Sequence, residues 1–325
     1  MRAIVLESYG GPEVLHLREV PPPTPGPEEV LVDVVSSALN RADLLQRMGL
    51  YPGPPMPNEI PGMEFSGVVS AVGERVTATR VGATVMGIVG GGAYAEQLVT
   101  HERMLLDLPS SVPIADAAAI PEVFITAFDA LVAQGGLTSG RIALVHAGAS
   151  GVGTAAIQIA RAIGARIIVT ASTDKVAACE ALGADVVVDY RTGDFVEAVK
   201  SFTGGRGVDV VLDVIGGSYV PRNIASLAVG GRIIQVGVME AGATDLNLGL
   251  LLAKRASITG TTLRARPIEE KIAISRRFAA EILPLFDHGP LRPVVDSRYP
   301  LGEVAAAHER MQSNANIGKI LLDIA

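Results

Sequence analysis

Short apolar runs alternate with helix-like segments through the middle of the chain. Runs rich in Val, Ile and Leu predict strands buried on both faces of a sheet, and apolar residues that recur every three or four positions predict helices. The predicted strands span residues 142–145, 165–171, 184–189, 208–215, 231–237 and 256–261. Helical patterns lie between most of them, for example at 175–182 and 194–202. Six strands in this rhythm predict an α/β fold with a doubly wound parallel sheet.

The segments before and after this region have a different pattern of apolar and polar residues. Residues 1–120 contain short alternating strands separated by turns rich in Gly and Pro, which predicts a small, mostly antiparallel β domain. A helical pattern after Pro267 is followed by a second helix at 301–311 and a last strand at 318–324. Because the parallel sheet is complete without it, we expect this strand to return to the first domain. The predicted domains are 1–122 with 266–325, and 123–265.

Composition and charge exclude several classes of protein. Of the 325 residues 49% are hydrophobic, enough for a substantial core, and a net charge of −7 without a basic cluster argues against a nucleic-acid partner. The N-terminus carries neither a basic leader nor an apolar signal core. The most apolar stretch, 115–133, is interrupted by a proline and three acidic residues and is too polar to span a membrane. We therefore expect a soluble, cytoplasmic protein that acts on a small molecule.

Cysteine and histidine usage bears on metal binding. The chain has one cysteine, so neither an internal disulfide nor a thiolate zinc cluster can form. Cys179 lies in a helical pattern and is predicted to be a buried, inert thiol. The five histidines are scattered without the spacing of metal ligands. His146, at the end of the first parallel strand, is predicted to be a hydrogen-bonded structural residue rather than a catalytic one.

A glycine-rich turn joins the strand at 142–145 to the following helix. Its small residues let a pyrophosphate approach the helix N-terminus, where unpaired N–H groups and the helix dipole favour an anion. The fingerprint G-x-G-x-x-G has serine here in place of its second glycine, so an ordinary strand-to-helix turn is an alternative. The recurring strands and helices favour the dinucleotide site. The predicted contacts are Gly148 and the backbone N–H groups of Ser150, Gly151, Val152 and Gly153.

The end of the second parallel strand indicates which dinucleotide binds. The strand ends at Ser172, where an NAD site usually has an acidic residue. Lys175 and Tyr190 can, like Ser172, donate hydrogen bonds to a phosphate, and lysine adds charge. Asp174 is predicted to cap a helix N-terminus instead. A solvated Lys175 and a packing role for Tyr190 are the alternatives, but together the three residues predict NADPH.

Five strings of the chain resemble the zinc-independent quinone oxidoreductase branch of the medium-chain dehydrogenase/reductase superfamily. They are SALNRADLLQRMGLYPGPP, PGMEFSGVV, IPEVFITAF, HAGASGVG and NIGKILLDI, and the resemblance covers essentially the whole chain. It implies a GroES-like catalytic domain, a Rossmann domain and NADPH-dependent reduction of quinones or related electrophilic carbonyls. It also implies a homodimer, in which the strand at 256–261 pairs with its symmetry mate and covers an otherwise exposed apolar edge.

Departures from the zinc-using relatives affect the predicted chemistry. In those relatives a cysteine ligand stands at the position of Asn40, and a histidine ligand stands at that of Met63, between Gly62 and Glu64. Both replacements hold zinc poorly or not at all. We therefore predict no metal, and we disfavour zinc-dependent alcohol dehydrogenase chemistry.

The resemblance implies further site residues. The ribose and nicotinamide are expected near the strand ends at Ile215, Gly216, Val236 and Gly237. The alternative is that the glycines at these positions only form turns. Additional cofactor contacts are implied at Thr126, Thr262, Leu263 and Asn316, and the substrate pocket is expected to include Phe124 and Met63. Phe124 can equally belong to the core.

Two residues are predicted to be catalytic. Asn40 is predicted to cap a helix, with Asp43 completing a capping box, or to place its amide beside the substrate and the cofactor ribose; the two roles can coexist. Tyr51 opens a proline-rich loop. In the absence of a metal and a catalytic histidine its phenol is the best proton donor available, with packing as the alternative.

These residues together predict an NADPH:quinone reductase. Hydride passes from the nicotinamide to a quinone or conjugated carbonyl, while Tyr51 and Asn40 orient the carbonyl and help neutralise the developing oxyanion. One alternative is an enoyl-thioester or alkenal reductase, in which the hydride goes to a C=C bond and a tyrosine protonates the α-carbon. The other is a non-enzymatic NADPH-binding protein.

Overall fold

The computed structural model describes residues 1–51, 53–240 and 242–324, which fall into two units. The first unit comprises Met1–Glu122, Arg264–His288 and Arg292–Ala325, and the second comprises Val123–Leu263 and Gly289–Leu291. Each unit contains its own main sheet and its own hydrophobic core.

Fifteen strands occur within the described residues. They are β1 Arg2–Leu6, β2 Leu15–Glu19, β3 Glu29–Ala38, β4 Glu64–Val72, β5 Thr84–Ile88, β6 Gln97–His101, β7 Leu105–Asp107, β8 Ile142–Val145, β9 Arg166–Ala171, β10 Val186–Asp189, β11 Val208–Asp213, β12 Leu227–Gln235, β13 Ser257–Gly260, β14 Val295–Pro300 and β15 Lys319–Asp323.

Eleven α-helices accompany them in the same part of the chain. They are α1 Arg41–Arg47, α2 Ile114–Ala117, α3 Pro121–Phe128, α4 Gly151–Ala162, α5 Val176–Leu182, α6 Phe195–Thr203, α7 Tyr219–Ser226, α8 Leu248–Lys254, α9 Ile268–Glu281, α10 Pro284–His288 and α11 Val304–Gln312. A π-helical turn, Asp129–Gln134, continues α3. None of the described helices has both the length and the apolar character needed to cross a membrane.

The sheet of the second unit has six parallel strands in the order β10-β9-β8-β11-β12-β13. This is the strand order of a Rossmann fold, in which the progression reverses between β8 and β11. All six strands predicted from the apolar runs are present, so the doubly wound sheet is confirmed. β11 ends two residues earlier than predicted, because the Asp213 carboxylate accepts hydrogen bonds from the N–H groups of Ile215 and Gly216 and turns the chain.

Burial on both faces explains the apolar character of these strands. Ile168, Val211 and Ile233 lie in a core cluster to which α6 contributes Phe195 and Val199. The apolar stripe of α4 is also buried, and this helix contacts β9. Both α5 and α6 end at a glycine with left-handed backbone angles, which lets the chain leave the helix and enter the next strand.

The first unit is built on a seven-stranded sheet with β3 at its centre. β3 pairs antiparallel with β4, β6 and β15, and β5 and β7 extend the sheet from β4. The C-terminal strand β15 therefore lies in the sheet of this unit. The predicted antiparallel arrangement is confirmed except for β14 and β15, which run parallel because α11 supplies the crossover between them. β1 and β2 form a separate two-stranded sheet.

Candidate active site

The turn between β8 and α4 is a helix N-terminus with small residues around it. Ser150 caps α4, and its hydroxyl oxygen accepts a hydrogen bond from the Gly153 N–H at 3.0 Å. The Ser150 N–H donates to the Ala147 carbonyl at 2.9 Å. Of the four N–H groups predicted to contact a phosphate, two are thus used within the turn. Gly151 and Val152 offer the N–H groups that fit this role, since the first turn of a helix cannot pair them internally.

Two glycines let the turn pack closely against its own backbone and against β9. A Cβ atom at Gly153 would lie 2.3 Å from the Ala147 carbonyl oxygen, and one at Gly148 would lie 2.7 Å from Cβ of Val169. Both positions therefore require glycine, whether or not Gly148 and Gly153 touch a ligand. The close turn and the helix end together fit a diphosphate group.

The ends of β9 and β10 lie side by side, because these strands pair in parallel register. Ser172 is buried at the end of β9, and Lys175 closes the 3₁₀ turn that follows it. Tyr190 follows β10, and its side chain is half exposed. The adjacent strand ends thus bring the backbones of the three predicted phosphate-binding residues to one edge of the sheet.

Two charged side chains modify this edge. A hydrogen bond from Ser172 holds the pKa of Asp174 below its ordinary value, so an ionised carboxylate lies next to the predicted phosphate position. The guanidinium of Arg191 lies 3.9 Å from the same carboxylate. Arg191 was not singled out from sequence, although it directly follows Tyr190. It is a second cation, with Lys175, at this edge of the sheet.

Asp213 shapes the neighbouring strand ends. Its carboxylate accepts from the N–H groups of Ile215 at 2.6 Å and Gly216 at 3.0 Å, and its carbonyl accepts from the Val236 N–H at 2.8 Å. Gly237 donates more weakly to the same carbonyl at 3.4 Å. The four strand-end residues predicted near ribose and nicotinamide are therefore all organised by one buried aspartate at the carboxyl ends of β11 and β12.

His146 belongs to the same polar cluster. Its ring nitrogens lie 3.1 Å from the Thr170 hydroxyl and 2.7 Å from the Asn223 amide oxygen, and the Asn223 amide donates to Asp213 at 2.9 Å. Burial lowers the pKa of His146 from its ordinary value. The predicted hydrogen bonding of His146 at the strand end is confirmed, and its structural rather than catalytic role stays a prediction.

A buried ion pair dominates the polar interior of the first unit. The Lys319 ammonium on β15 lies 2.7 Å from Oε1 of Glu64, which begins β4. Lys319 also donates to Oδ1 of Asn40 at 2.7 Å, and Nδ2 of Asn40 donates to the same Glu64 oxygen at 2.8 Å. The Asn40 amide therefore joins both members of the pair.

Asn40 also begins α1, as predicted. Asp43 accepts a hydrogen bond from the Asn40 backbone N–H at 2.7 Å and another from the Tyr94 hydroxyl at 3.1 Å. The predicted capping box is present at this helix start. Burial raises the pKa of Asp43 to about 6, although these hydrogen bonds and the Lys319 charge act in the opposite direction.

Glu122 connects the ion pair to α3. Its backbone N–H donates to Oε2 of Glu64 at 2.8 Å, which places a carboxylate at the N-terminus of that helix. Burial, and after it the negative charge of Glu64, raises the pKa of the Glu122 carboxyl to about 8. Glu122 is therefore mainly protonated at neutral pH.

Tyr51 lies beside a cation in the first unit. The guanidinium carbon of Arg264 is 5.1 Å from the centre of the Tyr51 ring, within the range of a cation–π contact. Arg264 is held by the Gly90 carbonyl and the Gln46 side-chain oxygen, each at 2.7 Å. Tyr51 is partly buried, and the described segment resumes at Gly53.

The remaining predicted site residues differ in exposure. Phe124, Thr126, Met63, Leu263 and Asn316 are buried, and Thr262 is exposed. Complete burial of Phe124 agrees with the alternative that it belongs to the core. Asn316 donates its amide N–H to the Gly318 carbonyl at 2.8 Å. Cys179 is buried, which raises the pKa of its thiol to about 11 and agrees with an inert role.

Metal ligands do not converge in the described part of the chain. Over residues 1–51, 53–240 and 242–324, no three His, Cys, Asp or Glu side chains are arranged to hold a metal ion. Asn40 and Met63 occupy the positions that hold zinc ligands in the zinc-using relatives. Asn40 is hydrogen-bonded to the Lys319 ammonium group, and Met63 is buried. The absence of a zinc requirement stays a prediction.

Sequence reasoning missed the charged residues of the first unit. The sequence gives Glu64 only as the residue after Met63 and Glu122 only as one of the acidic residues in 115–133. Lys319 occurs only within NIGKILLDI, one of the five strings that carry the family resemblance. One signal was available: a lysine inside the apolar strand KILLD is rarely buried without a partner. Its partners lie hundreds of positions away in the chain and carry no local pattern.

Comparisons with known proteins agree on the family. The family model for the alcohol dehydrogenase GroES-like domain matches residues 26–110, and the model for zinc-binding dehydrogenases matches residues 151–279. Human quinone oxidoreductase is 33% identical, and that of Lama guanicoe is 35% identical. Each alignment covers 99% of this chain and 97% of the relative.

Solved structures share the whole architecture. An Escherichia coli quinone oxidoreductase complexed with NADPH is 30% identical, with a TM-score of 0.86 over both full chains. An NAD-dependent alcohol dehydrogenase is 35% identical, with a TM-score of 0.89 and the same coverage. CurK enoyl reductase is 28% identical with a TM-score of 0.88, covering 100% of this chain and 99% of its own. The two units are thus a GroES-like domain and a Rossmann domain.

Proposed function

The chain belongs to the medium-chain dehydrogenase/reductase superfamily, and on that premise we propose that it is a zinc-independent NADPH:quinone reductase. In the proposed reaction a quinone, or a similar conjugated carbonyl, accepts a hydride and then a proton. Full-length quinone oxidoreductase relatives support this assignment. A quinone is already a good electrophile, so positioning can suffice without a metal to polarise its carbonyl.

The observation that carries the proposal is the chemistry at Asn40 and Met63. Asn40 offers a neutral amide whose oxygen already accepts from Lys319, and Met63 offers a buried thioether. Neither is an anionic ligand, and a fixed ammonium group next to Asn40 repels a metal cation. These side chains favour a substrate that is reduced without Lewis-acid assistance.

The residues of the Rossmann domain support NADPH as the cofactor. In the proposal Gly151 and Val152 hold the diphosphate, and Ser172, Lys175 and Tyr190 hold the 2′-phosphate, with Arg191 as a further cation. The ribose and nicotinamide contacts in this domain are assigned to Thr126, Ile215, Gly216, Val236, Gly237, Thr262 and Leu263. One further contact is assigned to Asn316 of the GroES-like domain. When bound, NADPH supplies the hydride.

The residues of the GroES-like domain orient the carbonyl. The Tyr51 hydroxyl donates a hydrogen bond to the carbonyl oxygen and is the proposed proton source. One Asn40 amide hydrogen is bonded to Glu64, and the other points to the Ala38 carbonyl at 3.4 Å, which is longer than an ordinary hydrogen bond. A substrate oxygen can approach this second hydrogen. Met63 supplies apolar surface in this domain, and Phe124, which belongs to the Rossmann domain, is the other residue proposed for the substrate pocket.

NADPH consumption with a substrate panel tests the proposal. The panel contains quinones, enones and enoyl thioesters. We expect quinones to give the highest kcat/KM. A chain that binds NADPH and reduces none of these compounds would instead be the non-enzymatic protein.

The second candidate function is an enoyl-thioester or alkenal reductase. It is supported by the full-length likeness to CurK enoyl reductase, at 28% identity. In that reaction the hydride goes to a C=C bond, and Tyr51 would have to deliver a proton to carbon. Preference for enoyl thioesters in the panel would establish this alternative.

A homodimer belongs to the proposal. β13 is at one end of the six-stranded sheet and is four residues long, shorter than the predicted apolar edge at 256–261. Helix α8, which precedes it, exposes Leu248 and Leu252 to 67% and 80%. Pairing β13 with its symmetry mate would cover both features with one isologous interface.

A further inference from the structure

Lys319 is a buried cation whose ammonium group has three hydrogen-bond acceptors. The residue is 3% exposed, and its ammonium donates to the Leu39 carbonyl at 2.5 Å, to Oδ1 of Asn40 at 2.7 Å and to Oε1 of Glu64 at 2.7 Å. An ammonium group has three N–H donors. Each of them has an acceptor here, so the group is held in one orientation.

Glu64 is equally constrained. It is fully buried, and Oε1 accepts from Lys319 and from Nδ2 of Asn40. The other oxygen, Oε2, accepts from the Glu122 N–H at the start of α3. The ion pair thus joins β15, β4, the start of α1 and the start of α3.

Stability alone gives little reason for such a pair. Removing two charges from water is unfavourable, and a well-packed apolar pair in the same space is often as stable or more so. A buried pair is better suited to fixing neighbouring groups in one arrangement. The neighbours here are residues of the proposed site: Asn40 is bonded to both charges, and Met63 directly precedes Glu64.

The pair determines which edge of the Asn40 amide is free. The amide oxygen must face the Lys319 ammonium, and one amide hydrogen must face the Glu64 carboxylate. Rotating the amide by 180° would place its oxygen against the carboxylate and its NH₂ group against the ammonium. The second amide hydrogen, weakly engaged with Ala38 at 3.4 Å, is therefore always the one available to a ligand.

We propose that Lys319 is a positioning residue for the reduction: its ammonium holds Asn40 and Glu64 so that the second amide hydrogen of Asn40, weakly engaged with the Ala38 carbonyl at 3.4 Å, meets the substrate carbonyl. Lys319 itself does not touch the substrate. The inference rests on the proposed function, because it assigns a substrate contact to Asn40.

The test uses the full-length chain and three variants. Lys319→Met removes the charge and keeps an unbranched side chain one atom shorter. Lys319→Met/Glu64→Gln removes both charges, so that the Glu64 carboxylate is not left buried without its partner. Glu102→Gln is the matched control, since Glu102 is a buried carboxylate that accepts from the N–H groups of Thr77 and Ala78 outside this network. The measurements are kcat and KM for the quinone, the NADPH dissociation constant and the thermal midpoint.

In both Lys319 variants kcat should fall on the order of tenfold to a hundredfold, because a small misplacement of a substrate contact lowers the rate by about this much. The NADPH affinity should be nearly unchanged. The double variant should recover thermal stability relative to Lys319→Met without recovering kcat, whereas Glu102→Gln should lose stability and keep kcat. Wild-type kcat in the folded double variant would overturn this inference alone. A wild-type chain that reduces no quinone would overturn the proposed function, and this inference with it.

Discussion

Glu64 accepts a hydrogen bond from the backbone N–H of Glu122 at 2.8 Å, and its negative charge adds to burial in raising the pKa of the Glu122 carboxyl to about 8. The same carboxylate that caps α3 therefore keeps a neighbouring acid protonated. This relationship has a measurable consequence for the pH dependence of stability.

Stability should fall as pH rises from about 4.5 towards 8 because of Glu122. Its pKa is higher in the folded chain than the ordinary value of 4.5, so the folded state binds more protons than the unfolded state in this window. The slope for one group is at most about 1.4 kcal/mol per pH unit. Glu122→Gln removes the titrating carboxyl and with it this pH-dependent contribution. The free energy of unfolding of the variant, relative to that of the wild type, should therefore increase with pH.

Urea unfolding at pH 5, 6.5 and 8 measures this difference. Asp43, whose pKa is also raised, is present in both proteins, so its own titration contributes to both stability curves. Glu102→Gln is the control: hydrogen bonds from the Ala78 and Thr77 backbone lower the pKa of Glu102, so its effect should be constant between pH 5 and 8. If the difference in free energy of unfolding between Glu122→Gln and wild type were also constant from pH 5 to 8, the raised pKa of Glu122 would be contradicted.

The chain should prefer NADPH to NADH, and Lys175→Ala should reduce the preference. A charge-assisted hydrogen bond to a phosphate contributes roughly 1.5–3 kcal/mol, which corresponds to a loss in NADPH affinity on the order of tenfold to a hundredfold. NADH affinity should change little. Lys200→Ala removes an exposed lysine from α6 of the same domain and should leave both affinities unchanged. Equal losses for NADPH and NADH would place Lys175 away from the 2′-phosphate.

The chain should be a homodimer in solution, and Leu252→Glu should dissociate it. Leu252 is 80% exposed on α8, the helix that precedes the edge strand β13. In an isologous interface the Leu252→Glu substitution would bury two carboxylates, one from each subunit. Light scattering at micromolar concentration gives the mass. Val81→Glu, at an exposed valine of the other domain, should stay dimeric. A monomeric wild type would refute the proposed interface.

Tyr51→Phe should lower kcat more than it affects NADPH binding. The substitution keeps the ring beside Arg264 and removes only the hydroxyl. Loss of a general acid typically lowers the rate by 10²–10⁴-fold, but a reduced quinone can take its proton from water, so we expect a smaller loss. Tyr299→Phe on β14 serves as the control. Unchanged kcat in Tyr51→Phe and Tyr51→Ala would show that Tyr51 only packs.

The fold could be predicted from the sequence where its causes are local. The strand runs and the α1 cap at Asn40 follow from patterns within a few residues, and the structure has them. The ion pair could not be predicted, because Lys319 lies 279 positions from Asn40 in the chain. Likewise, the turn after β11 depends on a single carboxylate, Asp213, whose bonds to the backbone leave no periodic signal.

The most direct test of the central claim is a competition between substrate classes at saturating NADPH. Initial rates of NADPH oxidation are measured for a quinone and for an enoyl thioester, separately and in one mixture, with NADH as a parallel cofactor. We expect a higher kcat/KM for the quinone, hydroquinone as the main product of the mixture and a clear advantage of NADPH over NADH. A higher kcat/KM for the enoyl thioester, or equal use of NADH, would contradict the central claim.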